Sequence, residues 1–135
     1  MKNINTSKRF TYISALLAFI LWGGWAFYIN GEFGNKSRIL SGITQGTCSF
    51  IITLLMTKVI AYQYNQFSRM VCKILFPPII TVSITGTLLV LIHNKVGTPA
   101  IFETVSPALT VALLFGFFTI YKLHLESTRL RKDLN

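Results

Sequence analysis

Acidic residues are almost missing from this chain: Glu32, Glu103, Glu126 and Asp133 are all that 135 residues contain. Charged residues of either sign make up 13%, where a soluble domain carries about 25%. None lies near the centre of an apolar stretch, which removes the ionisable groups that mark ion paths and proton relays in membranes. The first span, in particular, has no carboxylate of the kind that small multidrug exporters carry at mid-helix. Histidine and cysteine are as scarce, two of each: His93, His124, Cys48 and Cys72. Their spacing forms no metal-ligand set, so neither metal nor cofactor is expected. A Gly-rich phosphate loop, a Ser/His/Asp set and a close carboxylate pair are also lacking. The expectation is a chain that is not an enzyme.

What fills the sequence instead is apolar. Hydrophobic residues make up 52% and the mean hydropathy is +0.56. Four stretches, residues 12–30, 39–62, 74–94 and 99–121, each reach the ~20 residues that cover ~30 Å of hydrocarbon. The fold class expected is an all-α membrane protein, four transmembrane helices in a compact bundle. The loops at 31–38, 63–73 and 95–98 are too short to fold a further domain. Residues 1–135 are thus read as one transmembrane domain with a basic tail at 122–135. The first run is too long for a signal-peptide core and has no small-x-small cleavage pattern at Trp25-Ala26-Phe27-Tyr28. It is read as a retained helix, anchored by Trp22, Trp25 and Tyr28.

The net charge of +9 sorts by loop rather than by face, so it indicates topology and not nucleic acid. With both termini cytoplasmic, Lys2, Lys8, Arg9, Lys58, Arg69, Lys73, Lys122, Arg129, Arg131 and Lys132 fall inside. Only Lys36, Arg38 and Lys95 fall outside. The positive-inside rule then makes this a multi-pass protein of the cell inner membrane with the lipid bilayer as its first partner. Cys48 and Cys72 lie at different depths, so no disulfide is expected within one chain.

Small residues supply the strongest internal pattern. At ~100° per residue, Gly42, Gly46, Ser49, Thr53 and Thr57 share a narrow arc of the second span. Gly42-x-x-x-Gly46 is the spacing at which membrane helices approach closely. Ala108, Ala112 and Gly116 form a similar arc on the fourth span, and the two faces are expected to pair, within one protomer or across a dimer. Thr98-Pro99 reads as an N-cap followed by the first helical residue, and Pro107 as a kink. Hydroxyls around the third span suggest a central position for it. His93 and Glu103, flanking the short loop before the fourth span, form a candidate outer polar site, with Gln45 as a further polar candidate.

Together these features suggest a small non-enzymatic subunit or helper of a membrane assembly, contacting a membrane-protein partner or itself through its small-residue faces. The alternative is a self-associating channel or transporter with a Ser/Thr-lined path, since hydroxyls select without fixed charge.

Overall fold

The computed structural model describes residues 8–133. It consists of α1 (Lys8–Ile29), α2 (Asn35–Gln66), α3 (Met70–Val96) and α4 (Ile101–Asp133), with a 3-10 turn at Gly31–Phe33 between α1 and α2. All four helices are long and apolar enough to cross a membrane, the pattern of a multi-pass membrane protein. In hydrocarbon only such helices satisfy every backbone group internally.

The helices overrun the apolar stretches at most ends, but α4 begins at Ile101, so Pro99 lies before the helix and not at its first position. α2 begins four residues before its apolar run, and the loop expected at 63–73 shrinks to Phe67, Ser68 and Arg69 between α2 and α3. Pro77 and Pro78 lie inside α3, both buried. A helix ends where its hydrogen bonds end, not where its apolar residues do. Hydropathy reports the second boundary only.

α2, not α3, is the central helix. It packs against α1, α3 and α4, whereas α1 and α3 make no close backbone approach and α1 meets α4 only lightly. The reason is the glycine pair. A Cβ at Gly23 of α1 would stand 2.9 Å from the Gly42 carbonyl oxygen and 3.3 Å from the Gly46 Cα. One at Gly46 would meet the Phe19 backbone oxygen and ring at 3.0 Å. Only hydrogen fits between these backbones. Gly42 and Gly46 thus pair with α1, which corrects the expected pairing of the α2 and α4 small faces. Gly116 of α4 lies instead against Pro78 and Ile60, at 3.0 and 3.4 Å from where its Cβ would be.

The two ends of the bundle differ in what fills them. Toward the end that carries both termini, Met56, Ile60, Tyr64 and Ile120 form a buried apolar cluster, with Ile74, Val82 and Leu123 packed around it. Lys73 Nζ lies 5.1 Å from the Tyr64 ring centroid and Lys122 Nζ 4.8 Å from that of Phe118, so cations at this end cap aromatic faces. The opposite end, built from the α1–α2 and α3–α4 connections, is filled with polar side chains.

The packing implies a paired experiment. Replacing Gly23 by Ala should destabilise the bundle by about 1–3 kcal/mol through overpacking. The same change at Gly24, where a new methyl meets nothing within 4 Å, should be neutral or slightly stabilising. Thermal melts followed by circular dichroism in mild detergent measure both.

Candidate functional site

Gln45 and His93, both fully buried, come together at the connection end. Gln45 lies one turn along α2 from Ser41 and one turn before Ser49, so all three share a face beside the glycine face. His93 lies near the end of α3, where Gly97 at φ 78° closes the helix. The Gly97 N–H donates to Asn94 O at 3.2 Å and the Thr98 N–H to His93 O at 2.9 Å. This is the Schellman closure, and only a residue tolerant of φ > 0 performs it cheaply. It folds Thr98 back over His93. The Thr98 hydroxyl is therefore spent on the imidazole, rather than on capping α4 as its place before Pro99 suggested.

The resulting chain has one direction. His93 Nε2 is 2.8 Å from Gln45 Oε1, and an amide oxygen only accepts, so Nε2 carries the proton. His93 Nδ1, 2.7 Å from Thr98 Oγ1, then accepts from the Thr98 hydroxyl in the neutral ring. Ser41 donates to Thr98 Oγ1 at 3.2 Å, and Gln45 Nε2 donates to Ser49 Oγ at 3.4 Å. Five side chains from α2, α3 and the α3–α4 connection are thereby joined through the His93 ring, with the Ser49 proton left over at one end. In lipid this matters because an unpaired buried polar group costs about 1–3 kcal/mol or more.

A second cluster ties α1 to α4. The buried Asn30 side chain donates to Ala26 O at 2.9 Å and to Thr104 Oγ1 at 2.8 Å. Its Oδ1 accepts from the Ala100 N–H at 3.1 Å, filling a vacancy at the start of α4. Trp25 Nε1 donates to the Glu103 carbonyl oxygen at 2.9 Å. Glu103 itself is exposed. It joins this end through its backbone, and its carboxylate takes no part in the hydrogen bonds of His93.

Beside Ser49, at mid-length of the bundle, lies a cavity of about 230 Å³ lined by all four helices. Ser49, Thr53, Ala108 and Ala112 face it, so the small arcs of α2 and α4 border one space below the glycine contact. Thr57 is half-buried and stands outside the lining. No ionisable group lines the cavity, and both cysteines are free thiols.

Of the residues singled out in the sequence, the structure joins Gln45 to His93 and leaves Glu103 apart. Asn30 and Thr104 were overlooked, because an amide before a glycine reads as a turn and a threonine in a span as a packing residue. An amide at the apolar–polar boundary of a span was the available signal. Comparison with known protein families, with curated proteins and with solved structures finds no match to this chain.

The pairing makes a non-additive prediction. Gln45→Leu and His93→Leu should each destabilise by about 1–3 kcal/mol by stranding the other partner. The double substitution should cost less than their sum by at least about 0.5 kcal/mol. A double-mutant cycle from denaturant titrations in micelles reads this directly.

Proposed function

We propose that this chain is a small non-enzymatic protein of the inner membrane, with both termini cytoplasmic, that serves as a subunit or helper of a membrane assembly. The observation that carries the reading is the length of α4. Its 33 residues extend about 50 Å, some 20 Å more than the hydrocarbon requires. From Leu125 onward the described residues are exposed, and this end of α4 carries Arg129, Arg131 and Lys132 with Leu130 more than half exposed among them. A helix that continues unbroken out of the bundle presents a rigid basic and apolar surface, suited to an acidic segment of a partner.

The glycine pair supports the same division of labour. Gly42 and Gly46 are spent on α1, which leaves the α4 extension as the element with charge and shape to offer. The alternative, a self-associating channel or transporter, has in its favour the hydroxyls of Ser49 and Thr53 on the cavity wall. The apolar cluster of Met56, Ile60, Tyr64 and Ile120 closes the bundle beyond them, so a path would have to run between copies.

Native mass spectrometry of particles extracted from the source membrane in polymer discs tests the reading. The wild-type chain should appear in a particle of mixed composition. Replacing Arg129, Arg131 and Lys132 by Glu should reduce that particle at least about tenfold, the effect of ~1.4 kcal/mol, without changing the melting temperature. A clean homo-oligomer for both proteins would contradict it and favour the conduit.

A further inference from the structure

Several hydroxyls in this bundle donate within their own helix, whereas Ser14, Ser49 and Thr53, all on the cavity wall, do not. Thr85, Thr87, Thr110 and Thr119 each donate to the carbonyl one turn earlier in their own helix, at 2.8–2.9 Å. That is the ordinary way for a hydroxyl to satisfy its proton in an apolar setting. Ser49 does not. It is 94% buried, from a relative exposure of 6%, and its oxygen accepts from Gln45, but among the described residues no acceptor takes its proton. Thr53 makes no side-chain hydrogen bond among the described residues at all. The two are one turn apart on one face of α2, so their donors are spaced about 6 Å along the cavity wall.

The rest of the cavity restricts what those donors meet. Its walls include Trp22 of α1 and Phe115 of α4, with the small Ala112 leaving room between. At about 230 Å³ it exceeds the ~150 Å³ that admits benzene in an engineered protein cavity. No charged side chain lines it, so a charged ligand would find no compensation. Phe115 and Val111 of α4, which border the cavity, are 43% and 49% exposed. Its rim is therefore on the outer surface of the apolar spans, and a ligand would enter from lipid.

We propose that the cavity between Ser49, Thr53, Trp22 and Phe115 is a binding site for a neutral, lipid-soluble ring bearing carbonyl acceptors at opposite ends, a quinone-type ring. Ser49 and Thr53 donate to its oxygens, Gln45 polarises Ser49 by donating to it, and the aromatic side chains take the ring faces. The site is independent of the α4 extension and of any partner docked there.

Trp22 reports on it. The full chain with Trp25→Phe, in phosphatidylcholine nanodiscs, is titrated with duroquinone while Trp22 emission is followed. Saturable quenching at one quinone per chain is expected. Ser49→Ala and Thr53→Val should each weaken it about three- to tenfold, the worth of one hydrogen bond. Ala112→Leu should abolish the saturable phase. Durene, the same methylated ring without carbonyls, should fail to compete. Circular dichroism melts confirm that each variant is folded, and the hydroxyl variants keep the test decisive if Ala112→Leu is not. Quenching that rises linearly and equally in all variants would overturn the proposal, as would equal competition by durene.

Discussion

An imidazole held between an amide oxygen and a hydroxyl organises the α2–α3 side of one end of this bundle. His93 is fully buried, so Gln45 and Thr98 must both be within reach for α3 to end where it does. Thr98 reaches it only because Gly97 turns the chain back. Ser41 and Ser49 complete the ends of the chain from the same face of α2. The register of α2 against α3 is thereby specified by hydrogen bonds rather than by apolar side chains, which in lipid have little preference for one another over the solvent. The same logic at Asn30 fixes α1 against α4 through Thr104 and Ala100.

The two ends solve different problems. At the connection end, where chains turn and backbone groups come free, polar side chains supply partners and glycine hydrogens allow α1 and α2 to touch. At the end carrying the termini, Ile60, Tyr64 and Ile120 fill space with methyls and rings, and Lys73 and Lys122 cover the Tyr64 and Phe118 rings. Between them the bundle is incompletely filled. α1 and α4, the first and last helices, are tied by Trp25 and Asn30 and then flank the cavity. A fully packed bundle would need larger residues at Ala18, Ala108 and Ala112. Their smallness leaves the space that the hydroxyls of α2 face.

How much of this was legible beforehand depends on the kind of signal. The four helices and their number follow from composition, because lipid tolerates few alternatives, and the structure has four such helices. Their ends were displaced, by four residues at Asn35 and by the first turn of α3 at Met70, since helical hydrogen bonding persists through polar residues that hydropathy discounts. The small arc on α2 was visible by periodicity, but its partner was not. Gly42-x-x-x-Gly46 states that a backbone comes close without saying whose, and Gly23-Gly24 in α1 was the complementary feature left unread. Gln45 and His93 were each conspicuous as polar residues in apolar runs. That they meet is a fact of register across 48 residues, which no local pattern encodes. Glu103 looked like the natural companion of His93 because it is near in sequence, and burial separates them: one ring is enclosed and the other side chain is exposed.

The central claim is that His93 is neutral, carries its proton on Nε2 and donates it to Gln45. Solid-state NMR of the chain labelled with nitrogen-15 histidine, with His124→Gln to leave one ring, observes this state in a bilayer. The account predicts a single protonated Nε2 resonance with a hydrogen-bonded proton and an unprotonated Nδ1 near neutral pH, unchanged by lipid composition. A doubly protonated ring, the opposite tautomer, or exchange with water on the timescale of an exposed histidine would contradict it.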